Sequence, residues 1–130
     1  MAIKFHAPNV SCSQMRWGWC ATWGAEESLA EDHYLMLQRA MPTQADKDKG
    51  WKDEGVYIEC CGQGWSWREH IVSFELLRDR VLVSLDAEAA KEMSNDGNIE
   101  VTFDLDESHF ANLSRGMRLI FDDRNYYRQA

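Results

Sequence analysis

Hydrophobic and polar positions alternate in several short stretches of this chain, and a period of two is typical of a strand with one buried face. The clearest case is residues 99–105, in which Ile, Val, Phe and Leu alternate with Glu, Thr and Asp. Alternation, or a high content of apolar and aromatic residues, predicts strands at residues 15–24, 33–41, 56–61, 65–77, 81–85 and 99–105. Glycines at 62 and 64 mark a turn that makes the third and fourth of these strands a hairpin candidate.

Two short helices complete the pattern. Asp86 is a candidate N-cap for a helix over residues 87–93, which is followed by the turn sequence Ser-Asn-Asp-Gly. Asp106 or Ser108 can cap a second helix, which Gly116 weakens. One face of that second helix would carry the apolar residues Phe110, Leu113, Met117 and Ile120 or Phe121.

These elements predict the α+β class, with a mainly antiparallel sheet of about six strands packed with two short helices. The charge-rich stretch 43–54 is predicted to be a solvated loop. A length of 130 residues with 45% hydrophobic content suits one domain with one core. We therefore expect a single domain over residues 1–130.

The charge balance excludes some partners. A net charge of −8 and a pI of about 4.9 argue against direct nucleic-acid binding, which needs clustered Lys and Arg. An acidic surface keeps a protein soluble and can also steer it toward a basic partner. No run approaches the roughly 18 apolar residues of a membrane span, and the first residues lack a signal-peptide layout, so a cytoplasmic protein without membrane contact is expected.

The residues with reactive side chains do not form a recognisable catalytic or metal-binding motif. Cys12 and Cys20 are distant in sequence, and Cys60 and Cys61 are adjacent, which in a strand would point them to opposite faces. With the four histidines also scattered, no metal and no cofactor are expected. An enzyme in which His70 activates Cys60 or Cys61 across the hairpin stays an alternative.

Tryptophan rows favour two further hypotheses. Trp17, Trp19 and Trp23 share one parity of the first predicted strand, which is more typical of a core than of a binding surface. A small-molecule module in which this row lines an apolar pocket is the alternative. Trp65 and Trp67 also share a parity beside a turn, where they would either anchor a protein interface or cover one end of the core.

Several segments resemble the immunity protein 10 family, whose members are encoded beside the toxins of bacterial polymorphic toxin systems. The sequence Tyr-Leu-Met-Leu-Gln-Arg at 34–39 resembles that family's Y-L-x-L-Q-R strand, and the similarity continues through residues 56–59 to Gln63. The remaining similar segments are residues 71–85, the following helix from Asp86, the strand 99–105 and the helix that ends at 119–121. The chain departs from the family pattern at residues 60–62 and 68–70, in and near the hairpin turn.

The resemblance implies an immunity protein, an antitoxin that binds and neutralises a cognate toxin domain encoded by a neighbouring gene, without catalysis of its own. Exposure and residue type, rather than the family, suggest which residues touch the toxin. The predicted contacts are Glu26, Glu27, Trp51, Asp53, Glu54, Trp65 and Trp67.

Overall fold

The computed structural model of the protein describes residues 3–24, 33–61 and 65–129, and it contains ten strands and three helices within them. The strands are β1 (Ile3–His6), β2 (Asn9–Met15), β3 (Gly18–Gly24), β4 (Tyr34–Ala40), β5 (Tyr57–Cys60), β6 (Ser66–Arg68), β7 (Ile71–Leu76), β8 (Arg80–Leu85), β9 (Asn98–Thr102) and β10 (Tyr127–Gln129). The helices are α1 (Gln44–Asp48), α2 (Ala87–Met93) and α3 (Glu107–Ile120).

The strands form two five-stranded sheets. The first sheet has the order β1, β9, β8, β7, β10, and its two outermost pairs are parallel. The second sheet has the order β2, β3, β4, β5, β6 and is antiparallel throughout. The predicted α+β class is confirmed, but the single sheet of about six strands is wrong, because β1, β2 and β10 are additional strands and the predicted strand 65–77 divides into β6 and β7, one in each sheet.

The segment predicted as one strand over residues 65–77 is divided between the two sheets. Glu69 and His70 separate β6 from β7, and both have positive φ angles, 72° and 41°. Residues other than glycine rarely adopt this backbone region, so side-chain contacts must hold it. The carboxylate of Glu69 accepts hydrogen bonds from the backbone N–H of Val56, from Arg124 and from the hydroxyl of Tyr126. These three contacts fix the crossing from one sheet to the other.

The core lies between the inner faces of the two sheets. The rings of Trp23 in β3 and Phe74 in β7 lie 6.2 Å apart, and both residues are fully buried. Helix α3 closes one side of this core by packing on β2 and β3. A Cβ atom at Gly116 would overlap Sγ of Cys12, so this glycine permits the close approach of α3 that its low helix propensity would not suggest.

The two predicted helices form as expected, and the structure adds a third. Asp86 caps α2 by accepting a hydrogen bond from the N–H of Ala89, and Asp106 caps α3 in the same way. The predicted loop 43–54 is wrong in part, because it contains α1. A capping box between Thr43 and Asp46 stabilises this one-turn helix, which buries no side chain. Within the described ranges, no helix has the length and apolar character needed to cross a bilayer.

Candidate functional site

The surface with the most distinctive composition is the side of the second sheet that points away from the core. Cross-strand pairing aligns its residues in two rows. One row is Ser11, Thr22, Met36, Glu59 and Ser66, and the other is Ser13, Cys20, Gln38, Tyr57 and Arg68. We call these ten residues, together with Tyr34, the outer face.

The alternation of β4 and β5 produces this surface. Leu35 and Leu37 of β4 and Ile58 of β5 are fully buried on the inner side, where α3 also packs. Their neighbours Met36 and Gln38 point the other way and are half-buried. The period of two therefore gives the sheet an apolar inner side and a second, partly exposed side of different chemistry.

The outer face has the composition of a protein interface. It contains two tyrosines, a methionine, a glutamine, a cysteine and small hydroxyl residues, and only two charged residues, Glu59 and Arg68. Interface cores are enriched in Tyr, Met and Arg and depleted of Lys, Asp, Glu and Ser, so the outer face matches this composition in its tyrosines, its methionine and its few charges, though not in its three serines. The arrangement suits binding to another macromolecule.

A carboxylate lies at the centre of the outer face. Glu59 is only 6% exposed, and the hydroxyl of Tyr57 donates a hydrogen bond of 2.5 Å to its Oε1. The hydroxyl of Tyr34 donates to Oε2. Burial, and then the hydrogen bond to Glu59, raise the pKa of Tyr57, so this hydroxyl stays protonated and remains a donor at neutral pH.

One predicted contact residue lies at the rim of the outer face, and another is highly exposed. Glu54 pairs with Arg68 at 3.4 Å, and the Arg68 guanidinium lies 5.4 Å from the ring centroid of Tyr57. Trp51, three residues before Glu54, is 59% exposed, the largest value among the exposed large hydrophobic residues of the described chain. Large apolar side chains left in water are candidate anchors for a partner.

Asp53 has a structural partner within the chain. The guanidinium of Arg39 donates to its carboxylate at 2.7 Å, and the backbone N–H of Gly55 donates at 2.9 Å. The bond from Arg39 holds the pKa of Asp53 below its ordinary value. Arg39 is itself buried and also bonds Asp123 and the carbonyl oxygen of Ile120, which ties β4 to the end of α3.

The remaining predicted contacts are spread over the molecule. Trp67 is 7% exposed, points to the core and donates its indole N–H to Glu92 of α2 at 2.9 Å. Trp65 is half-buried and packs against the same core. Glu26 and Glu27 lie outside the residues that the structure describes. The structure thus brings Glu54 to the outer face, whereas Asp53 and Trp67 are engaged in contacts within the chain.

The cluster of Tyr34, Tyr57 and Glu59 was not predicted from the sequence. The signal was present, because alternation in residues 34–39 and 56–61 assigns one parity to the core and leaves the other parity for the second side of the sheet. Which strands are neighbours could not be read from the chain, and only their pairing brings Tyr34 and Glu59 together.

The geometry does not bring together the residues of the enzyme alternative. The backbone N–H of Cys60 bonds the carbonyl oxygen of Trp65 near the turn of the β5–β6 hairpin, whereas His70 lies beyond the other end of β6 and bonds Asp86 at 2.7 Å. The expectation that the adjacent cysteines point to opposite faces is wrong, because Cys61 has a φ of 60° and the two Sγ atoms lie 3.2 Å apart. The hydrogen bond with Cys61, together with burial, raises the pKa of Cys60, which disfavours the thiolate that a nucleophile requires.

Two residues of the tryptophan row in the small-molecule alternative belong to the core, whereas the third, Trp17, lies half-buried in the turn between β2 and β3. Trp19 and Trp23 are 7% and 0% exposed on the inner side of β3. Two surface grooves among the described residues, one on the outside of the first sheet and one between β2 and α3, have no tryptophan in their lining. The predicted core role of Trp19 and Trp23 is confirmed.

Comparison with known proteins agrees with the expected class. A model of the family described as Immunity protein 10 matches residues 10–111, a segment that begins at the second residue of β2 and includes the other four strands of the second sheet. This two-sheet α+β protein therefore belongs to the Immunity protein 10 family. Neither a curated protein nor a solved structure gives a match.

Proposed function

We propose that this protein is a cytoplasmic immunity protein that binds a cognate toxin domain of a bacterial polymorphic toxin system and neutralises it by occlusion. The toxin domain is encoded by a neighbouring gene. The observation that carries the proposal is the family match over residues 10–111. The protein makes and breaks no bond, because its role is to cover the toxin's working surface.

The outer face supplies the contact in this proposal. Five strands about 4.8 Å apart and about four residues of each strand give a flat area of roughly 20 Å by 15 Å. A stable interface buries about 800 Å² on each partner, which is more than this flat area provides. The contact therefore extends to the rim, where Glu54 lies, and to the exposed Trp51.

Charge supports association with a basic toxin. The net charge of −8 attracts a cationic partner over distances of about 10 Å at moderate salt and raises the association rate. A nuclease domain is one class of toxin with a basic surface, because it must hold phosphate backbones. The long-range attraction speeds the encounter, and the outer face, which carries few charges, supplies the short-range fit.

Co-expression tests the proposal. The toxin domain from the neighbouring gene is expressed in a bacterial host, alone and together with this protein, and growth is measured. We expect the toxin alone to stop growth, co-expression to restore it, and the two proteins to co-purify. Growth arrest that persists at equal or higher levels of this protein, without a complex, would contradict the proposal.

A further inference from the structure

We propose that Glu59, held between Tyr34 and Tyr57, is the anchor that receives a basic side chain of the toxin. This inference rests on the proposed function and deepens it by naming the partner chemistry at the centre of the outer face. The carboxylate is the acceptor, the two tyrosine hydroxyls hold it in place, and an arginine or lysine of the toxin supplies the missing positive charge.

The charge of Glu59 lacks a counter-charge within the described chain. Its two hydrogen-bond partners are the hydroxyls of Tyr34 and Tyr57, both neutral, and no Lys, Arg or His among residues 3–24, 33–61 and 65–129 forms an ion pair with it. Carboxylates that are nearly buried are normally paired with a cation or bound to a metal, because desolvation of a lone charge is costly. Glu59 departs from this rule.

The protein pairs its other buried charge fully. Arg39 is 6% exposed, like Glu59, and it is bonded by the carboxylates of Asp53 and Asp123. Glu69, which is half-buried, is bonded by Arg124 at 2.6 Å. The missing partner of Glu59 is therefore a local feature of the outer face, which is the surface that the proposed complex would cover.

The carboxylate of Glu59 retains acceptor capacity for a further bond. Each carboxylate oxygen has two acceptor directions, and each oxygen of Glu59 accepts one tyrosine hydroxyl, so one direction per oxygen remains. A guanidinium or ammonium group that bonds Glu59 would become desolvated on complex formation, the condition in which charged pairs contribute most to binding.

The first test compares Glu59→Gln with Glu75→Gln. Glutamine keeps the size of Glu59 and an acceptor oxygen but removes the charge, and Glu75 is a matched glutamate that is half-buried in a strand on the outside of the first sheet. The dissociation constant for the toxin domain, inactivated in its own active site, is measured by calorimetry at two salt concentrations. We expect E59Q to weaken binding by about 30-fold or more and to lower its salt dependence, and E75Q to change binding by less than about 3-fold.

Thermal unfolding of the free variants separates binding from folding. If Glu59 served only the fold, its replacement would lower the stability of the protein. A buried charge without a cationic partner destabilises the free protein, so its removal should not lower the stability. We expect E59Q to unfold at the same temperature as the wild-type protein or at a higher one while its affinity falls. Equal affinities of E59Q and E75Q for the toxin would contradict the proposal that Glu59 binds a basic side chain of the toxin.

A second pair of variants decides the matter if E59Q does not fold. Met36 lies directly across from Glu59 on β4, so Met36→Lys places an ammonium group within reach of the carboxylate, and Met36→Gln is the uncharged control of similar size. We expect M36K to melt higher than M36Q and to bind the toxin about 30-fold more weakly, because the internal cation occupies the anchor. Equal binding by M36K and M36Q would overturn the proposal.

The experiments distinguish failure of the proposed function from failure of the role of Glu59. A wild-type protein that neither binds nor neutralises the toxin domain overturns the proposed function, and the anchor with it. A wild-type protein that neutralises the toxin while E59Q and M36K bind as tightly as their controls overturns only the role of Glu59.

Discussion

Tyr57 and Glu59, two residues apart on β5, point to the same side of the second sheet and are joined by a hydrogen bond of 2.5 Å from hydroxyl to carboxylate. Their spacing follows directly from the period of a strand, and the bond fixes the carboxylate at the centre of the outer face. The neutral donor satisfies an acceptor oxygen but does not balance the charge. The hydrogen bond of this pair therefore has a local structural role, while the carboxylate of Glu59 has no cationic partner within the described residues.

Removing the donor of this pair should destabilise the protein. Tyr57→Phe leaves a nearly buried carboxylate oxygen without one of its bonds, and the free energy of unfolding should fall by about 1–3 kcal/mol. Urea denaturation of the free protein measures the change. Tyr127→Phe is a suitable control, because the Tyr127 hydroxyl makes a longer bond of 3.2 Å to Gln129. A Y57F variant as stable as the wild type would show that the bond contributes nothing.

Arg39 should be essential for the fold. Arg39→Met removes the partner of Asp53 and Asp123 and a donor to the carbonyl oxygen of Ile120. Breaking a buried pair on one side costs about 3–5 kcal/mol, whereas an exposed pair contributes less than about 1 kcal/mol. Arg80→Met, which breaks a more exposed pair with Glu100, is the control. Similar unfolding midpoints in urea for the two variants would contradict the structural role of Arg39.

Stability should fall in acid through the same network. The bond from Arg39 lowers the pKa of Asp53, and the bonds from Arg124, Val56 and Tyr126 outweigh burial and lower the pKa of Glu69. A carboxylate whose pKa is lower in the folded state contributes stability above its unfolded value, 3.8 for Asp53 and 4.5 for Glu69, and loses it as the pH falls through the folded value. Urea midpoints should therefore be steady from pH 7 to about 5 and decline below about pH 4.5.

The variant Glu69→Gln provides the control for that pH dependence. It removes one titrating group of this network, so the decline below pH 4.5 should be shallower than in the wild type, although the variant is less stable at pH 7. An unchanged slope in E69Q would mean that other carboxylates cause the acid sensitivity.

Gly116 should resist replacement by the better helix former alanine. The added Cβ would overlap Sγ of Cys12, so Gly116→Ala should lower the free energy of unfolding by about 1–3 kcal/mol despite a gain of about 1 kcal/mol in helix propensity. Cys12→Ala removes the sulfur, and the double variant should be more stable than the sum of the single changes predicts. Additive changes would show that the contact between α3 and β2 is looser than described.

Local patterns predicted the helices well. Asp86 and Asp106 are N-caps because their side chains accept a bond from an N–H three residues ahead, and this chemistry is visible in the chain itself. The apolar face of α3 followed from its spacing in the same way, since Leu113, Met117 and Ile120 are buried. Such features depend on neighbours within four residues and need no knowledge of the fold.

The two-sheet arrangement depends on contacts distant in sequence. The sequence of residues 65–77 does not indicate a turn at Glu69 and His70. The positive φ angles there are stabilised by bonds from Arg124 and Tyr126 to Glu69, more than fifty positions away. Strands β1 and β10 are too short to display alternation, and each pairs in parallel with a strand far along the chain. Periodicity cannot reveal such pairings.

The candidate site was only partly predictable for the same reason. Trp51 is exposed and Glu54 lies at the rim, and their contact with a toxin stays a prediction from residue type. The pairing of Asp53 with Arg39 and the cluster of Tyr34, Tyr57 and Glu59 arise from strand register, which a single sequence does not contain.

Titration of the toxin's activity with the purified protein tests occlusion by a preformed surface in one measurement. The toxin domain from the neighbouring gene is assayed on its own substrate while this protein is added from zero to a molar excess. We predict a linear loss of activity that ends near one equivalent, because each molecule covers one toxin. Full activity at a large excess would contradict binding, and complete inhibition by far less than one equivalent would show that the protein acts as a catalyst.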